Sequence, residues 1–203
     1  MVSDRWCAYT RWPLARRQLC WAHLRREFVA FTERGDAAAR LGRAFLRDTT
    51  QMFTWWHRVR DGTWTRARFQ AAMRPLRRRV ERRLRHGVVC GHAQTAATCR
   101  DLLAVAPALW TFVDLREVEP TNNAAERALR PAVLWRKGCW GTHSAAGSRF
   151  AERILTVAAT LKQQHRNVVD YTTQACIAAL RGDPAPSLVP DPARSPRFQP
   201  VRA

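Results

Sequence analysis

Glu126 is the carboxylate of this chain whose neighbours are most suggestive of chemistry. It lies in the run Thr121-Asn122-Asn123-Ala124-Ala125-Glu126-Arg127-Ala128-Leu129-Arg130-Pro131. Asn123 suits a helix N-cap, and Glu126 then follows three residues later, where a carboxylate can reach back to the backbone N–H of the cap residue. This capping box explains Glu126 without any catalysis. Because carboxylates also bind divalent cations, the alternative is that Glu126 is a metal ligand.

The charge of the chain predicts a polyanionic partner. Lys and Arg together number 35 against 16 Asp and Glu, for a net charge of +19, and lysine occurs only at Lys137 and Lys162. Nucleic acid is the usual partner of such a chain. A coding bias towards arginine in GC-rich DNA is the competing explanation.

Residues 65–86 predict the most basic helix. Its apolar residues recur at three- and four-residue spacing and form one seam: Phe69, Met73, Leu76, Val80 and Leu84. Nine arginines surround this seam, including Arg77, Arg78 and Arg79, and Glu81 is the acid among them. The arginines form either a solvated face or a face that follows DNA phosphates. Pro75 lies inside the pattern, where it can kink or split the helix.

The same periodicity predicts a mainly α fold. Residues 132–142 are β-branched and aromatic and predict a short strand or an extended loop. Val2-Ser3-Asp4 is typical of a strand end, with nothing before it to pair with. The other predicted helices span residues 16–33, 36–60, 93–105, a short piece before 115, 148–165 and 167–181, and a proline-rich extended or disordered tail follows at 183–203.

The cysteines and the hydropathy pattern indicate a cytoplasmic protein. No C-x-x-C pair occurs among Cys7, Cys20, Cys90, Cys99, Cys139 and Cys176, so free thiols in a reducing compartment are expected. Met1 leads directly into polar and basic sequence rather than into a signal peptide. No apolar run is long enough to cross a bilayer, so a membrane partner is not expected.

Three stretches carry a resemblance to a known family. They are residues 17–28 (RQLCWAHLRREF), residues 120–131 (PTNNAAERALRP) with Arg136-Lys137 beyond them, and the predicted helix of residues 147–162. Together they resemble the central and C-terminal part of the insertion-sequence 66 transposases, a bacterial group of DDE transposases. The resemblance covers about residues 1–182.

The resemblance implies an RNase H-like catalytic domain that cleaves phosphodiesters and transfers DNA strands. Two divalent metals, Mg²⁺ or Mn²⁺, held by three carboxylates would activate the attacking oxygen. The second acid of the family corresponds to Asp4, and the final acid corresponds to Glu126. Without the resemblance, Asp4 is equally well a solvated terminal residue or a turn cap.

The resemblance also implies that the chain is truncated at its N-terminus. The first acid of the family lies on an early strand, upstream of the region matched here, so the central sheet is expected to be largely missing. Four segments are expected: residues 1–34 as a remnant of the RNase H-like core, 35–115 as an arginine-rich helical insertion, 116–182 as the segment carrying Glu126, and 183–203 as the tail.

Two functions follow as expectations. The first is a fragment of a DDE transposase that acts in DNA transposition but is inactive alone, because the first acid is absent. The second is a non-catalytic, arginine-rich protein that binds DNA or dimerises, or that acts on an intact transposase. Four cations near Glu126 are candidates for holding the DNA backbone, unless they are simply exposed: Arg127, Arg130, Arg136 and Lys137.

Overall fold

The computed structural model describes residues 1–5 and 7–190 and is mainly helical, as the sequence predicts. Two short strands, β1 (Val2–Ser3) and β2 (Gln18–Leu19), form a parallel pair. The helices of the described residues are α1 (Trp21–Thr32), α2 (Asp36–Arg60), α3 (Arg66–Val88), α4 (Ala93–Ala104), α5 (Thr111–Asp114), α6 (Asn123–Gly138), α7 (Ala145–Gln163) and α8 (Val168–Arg181). The chain divides into two compact units, residues 1–126 and 127–203. Among the described helices, none has the length and apolar character that a membrane crossing requires.

The core of the first unit is built largely from buried apolar residues of α1, α2 and α3. Every residue of the α3 seam is buried. Phe28 of α1 stacks on Phe45 of α2, with 4.4 Å between the ring centroids. The two helices come this close because position 42 is glycine: a Cβ there would lie 2.7 Å from the carbonyl oxygen of Phe28. Any larger residue would therefore force α1 and α2 apart.

Pro75 does not split α3, which runs unbroken from Arg66 to Val88. Proline removes one backbone donor and leaves the carbonyl one turn earlier without its partner. Position 75 is exposed, so water can reach this part of the helix. The buried seam on the opposite side of α3 then holds the helix together through its packing.

A buried carboxylate joins α2 to α3. Asp48 of α2 is 5% exposed, and its Oδ1 accepts a hydrogen bond of 2.8 Å from Nε of Arg79. Its other oxygen pairs with Arg83, one turn further along α3. Burial and, to a smaller extent, nearby Arg47 lower the pKa of Arg83. Two of the nine arginines on α3 are therefore committed to holding the fold together.

The N-terminal region differs from the prediction. Val2–Ser3 does have a strand partner, and the predicted helix at residue 16 begins only at Trp21. The reason is competition for backbone donors. The N–H of Gln18 donates to the carbonyl of Met1, and the N–H of Cys20 donates to the carbonyl of Ser3, both at 2.8 Å. These bonds hold residues 18–20 extended until α1 begins.

The second unit contains the remainder of α6, together with α7 and α8. The strand or loop predicted at residues 132–142 is wrong up to Gly138, where α6 ends. Trp135 packs edge-on against Phe150 of α7, with 6.3 Å between centroids, so a tertiary contact supports the end of the helix. α8 is capped at both ends: the Asn167 side chain accepts from two backbone N–H groups, and Gly182 adopts the left-handed conformation.

The segment after α8 has no helix or strand as far as it is described. Gln164, Arg166 and Tyr171 donate side-chain hydrogen bonds to the carbonyls of residues 186–188. This part of the predicted tail is therefore ordered against the turn between α7 and α8. Residues 191–203 of the tail lie outside the described residues.

We expect Asp48→Asn to destabilise the fold by about 2–3 kcal/mol, because it leaves two arginines facing a buried site without a counter-charge. Glu81→Gln is the matched control. It removes the partner of Arg77 from a surface pair on α3, at a cost of less than about 1 kcal/mol. Chemical denaturation measures both. Equal losses for the two variants would contradict a structural role for Asp48.

Candidate active site at the ends of the strands

Gln18 fixes the position of β2. It is fully buried, and its amide nitrogen donates to the carbonyls of Leu19 and Leu109 at 2.7 and 3.1 Å. Its amide oxygen accepts the backbone N–H of Phe112 at 2.8 Å. A buried amide with this many partners holds β2 firmly against the chain at residues 109–112. The indole N–H of Trp21, which donates to Leu109 at 2.8 Å, adds a further attachment.

Cys20 follows β2 and is the point where three segments meet. Its N–H bonds the carbonyl of Ser3, the residue before Asp4. Its Sγ accepts the N–H of Asn122 at 3.5 Å. The next residue, Trp21, donates its N–H to the carbonyl of Pro120 at 2.9 Å. The end of β1, the start of α1 and the chain entering α6 are therefore held together here.

Asp4 lies at this meeting point and directly follows β1. This agrees with the prediction that Val2-Ser3-Asp4 is the end of a strand. Its backbone carbonyl accepts hydrogen bonds from Ser3 Oγ at 3.0 Å and from the buried Arg17 at 3.4 Å. The backbone around the predicted acid is thus anchored on two sides.

Glu126 reaches across from α6 to α1. Its Oε1 lies 3.3 Å from Nε2 of His23 in the first turn of α1, and both side chains are partly exposed. The predicted capping box is not formed: Asn123 is itself the first residue of α6, and so it is not the N-cap. The carboxylate is directed to another helix rather than to its own N-terminus. This contact with His23 was not predicted from the sequence, since nothing local links residues so far apart.

Two polar atoms beside this contact are buried without hydrogen-bond partners: Nδ1 of His23 and Oδ1 of Asn122. Buried polar atoms without partners are uncommon and costly, so these two are candidates for binding a further group. Within the described part of the chain, however, no three His, Cys, Asp or Glu residues come together as a metal site. The donors present here therefore do not form the three-carboxylate site that two Mg²⁺ or Mn²⁺ ions require.

The predicted DNA-binding arginines of α3 fall into different environments. Arg79 is held by Asp48, Arg77 pairs with Glu81 at 3.2 Å, and Arg78 is exposed. Arg78 belongs to a line of exposed arginines on one side of the helix, spaced by three or four residues. The members of this line are Arg74, Arg78, Arg82 and Arg85.

The four predicted cations of α6 are all exposed. With 3.6 residues per turn, Arg127, Arg130 and Lys137 fall on one side of the helix. Arg136 falls on a different side. The helix therefore presents three cations that could meet one phosphate backbone together.

Comparison with known proteins matches the chain to one family. The profile of the Transposase IS66 family matches residues 1–150. The uncharacterized protein y4qI of Sinorhizobium fredii (strain NBRC 101917 / NGR234) is 28% identical over 204 residues. The match covers 90% of this chain but only 36% of that protein. No solved structure matches the chain significantly.

We expect Gln18→Ala to destabilise the first unit by about 2–4 kcal/mol, since it leaves the Phe112 N–H and the Leu109 carbonyl buried with fewer partners. Gln163→Ala, at an exposed position of α7, is the control and is expected to change stability by less than about 0.5 kcal/mol. Urea unfolding followed by tryptophan fluorescence distinguishes them. A neutral Gln18→Ala would show that β2 is held by other contacts.

Proposed function

Because the chain belongs to the Transposase IS66 family, we propose that it acts in DNA transposition, within an RNase H-like catalytic domain of the DDE type. In this proposal Asp4 and Glu126 are the acids that the chain contributes to the catalytic site. The observation that carries the proposal is the position of Glu126, which contacts His23 where the end of β1 and the start of α1 are held together.

We propose further that the chain does not cleave DNA by itself. The described residues supply Asp4 and Glu126 but no cluster of three metal ligands, and a misplacement of about 1 Å already lowers catalytic rates about a hundredfold. A complete site would need a third carboxylate from another polypeptide segment. The role of this chain is then to position two acids and to bind DNA.

The exposed cations of α3 and α6 support DNA as the partner. With a net charge of +19, the chain has a strong electrostatic attraction to a phosphate backbone. Arg78 and Arg82 on α3 are exposed and do not take part in the ion pairs with Asp48 and Glu81. These exposed lines therefore contribute positive charge that is free for DNA.

The second candidate function is a non-catalytic DNA-binding or dimerising protein that modulates an intact transposase. The line of exposed arginines on α3 favours it, because this line needs no catalytic site in order to bind DNA. The two candidates differ in their dependence on Glu126. A binding protein is indifferent to the charge at that position, whereas a catalytic site is not.

We expect the purified chain to leave end-containing DNA uncut in the presence of Mg²⁺ or Mn²⁺, because its described residues bring no three metal ligands together. The assay measures nicking of a labelled duplex that carries the insertion-sequence end. Glu126→Gln is the matched variant, because it removes the charge and keeps the shape. Specific nicking by the unaltered chain that Glu126→Gln abolishes would contradict the predicted inactivity.

We expect Arg78→Gln/Arg82→Gln to weaken duplex DNA binding about tenfold. The slope of log K against log salt concentration is expected to fall by the amount that corresponds to about two phosphate contacts. Arg40→Gln/Arg43→Gln removes the same charge from exposed positions of α2 and is the control. Fluorescence anisotropy at several salt concentrations measures both effects. If the two double variants behave alike, DNA binding reflects net charge rather than the line on α3.

A further inference from the structure

A cleft of about 380 Å³ opens in the first unit between α1, α2 and the chain that leads into α6. Its cations come from both helices, its acid is Glu119, and part of its surface is apolar. Three cations and three apolar residues in its lining decide what the cleft can bind: Arg25, Arg26, Arg60, Val29, Phe53 and Trp56.

The cleft is electropositive. Arg26 and Arg60 are exposed, and neither forms an ion pair in the part of the chain that the structure describes. Arg25 makes a single long contact of 3.4 Å to Thr50 Oγ1. Glu119 is exposed and offsets only part of this charge. An anionic ligand is therefore attracted to the cleft, and a guanidinium presents the donor geometry that a phosphate accepts.

The apolar part of the cleft excludes a bare phosphate as the best ligand. Val29, in the last turn of α1, is 43% exposed, although it is an aliphatic side chain. Phe53, which also lines the cleft, is half-buried, and Trp56 is buried. Covering this surface releases water, which favours a ligand that carries an apolar or aromatic group next to its charge.

We propose that this cleft binds one unpaired nucleotide of a DNA strand, with its phosphate on Arg26 and Arg60 and its base against Val29 and Phe53. An unpaired nucleotide presents both a charge and a free base, whereas the bases of a duplex are stacked inside it. The volume of the cleft suits a single small ligand rather than a DNA double helix.

The cleft lies close to Glu126. It is lined by Ala22, the residue before His23, and by Asn123, which lies three residues before Glu126 on α6. A strand held there passes directly beside the contact between His23 and Glu126. The inference rests on the proposed function and adds to it that the strand meets Glu126 in unpaired form.

The experiment measures binding of the full 203-residue chain to a labelled single strand and to the duplex of the same sequence. Arg26→Gln/Arg60→Gln is expected to weaken single-strand binding about tenfold and duplex binding much less, with the salt slope for single strands falling by about 0.7, because one phosphate contact is lost. Arg40→Gln/Arg43→Gln again removes equal charge and is expected to leave the preference for single strands unchanged. An equal loss for both double variants, or an equal loss for single strand and duplex, would overturn the proposal.

A second probe tests the base contact without altering the protein. An oligomer of abasic nucleotides has the charge and length of oligodeoxythymidine but no bases. We expect it to bind at least about fivefold more weakly, because base contacts of this kind contribute about 1–3 kcal/mol each. Equal affinity for the two oligomers would overturn the base contact.

These results are separable from the fate of the proposed function. If the Arg26/Arg60 variant binds single strands normally, the cleft inference is wrong, whatever Glu126 does. If an assembled transposase containing this chain still cuts DNA when it carries Glu126→Gln, the proposed role of Glu126 is wrong, even where single-strand binding follows Arg26 and Arg60.

Discussion

The buried side chain of Gln18 is the constraint on which the candidate site depends. A polar group can be fully buried only where its donors and acceptors are satisfied, and Gln18 meets this condition through Leu19, Leu109 and Phe112. These bonds fix β2, and Cys20, the residue after β2, then joins β1 to the chain entering α6. The contact between His23 and Glu126 is a consequence of this arrangement, since the pair itself is too exposed to hold the helices together.

Some arginines hold the fold together and others are available to bind DNA, and the two groups differ in burial. Arg79 and Arg83 meet a carboxylate that is only 5% exposed, where loss of one partner is expensive. Arg66 donates to the carbonyls of Phe112 and Leu115, and burial lowers its pKa. The exposed arginines of α3, such as Arg78, face solvent instead. A count of arginines therefore overstates the charge that is free to bind DNA.

The helices could be predicted from the sequence because their buried residues recur with the helical period. The seam from Phe69 to Leu84 repeats with the period of the helix, and all of its members are buried. The strand pair and the contact between His23 and Glu126 have no such pattern in the sequence. They depend on partners roughly 15 and 100 residues away, which no local propensity encodes. The strand or loop predicted for the second half of α6 is wrong for a related reason. Its β-branched and aromatic residues favour a strand locally, but the packing of Trp135 on Phe150 of another helix supports the helix instead.

We infer that this chain positions Glu126 beside His23, and that its described residues do not complete a metal site. Titration of the 203-residue chain with Mn²⁺, with free Mn²⁺ followed by electron paramagnetic resonance, tests it directly. We expect the chain and its Glu126→Gln variant to bind Mn²⁺ equally weakly, with no site tighter than about 1 mM. Binding of a pair of ions per chain well below that concentration, abolished by Glu126→Gln, would contradict it.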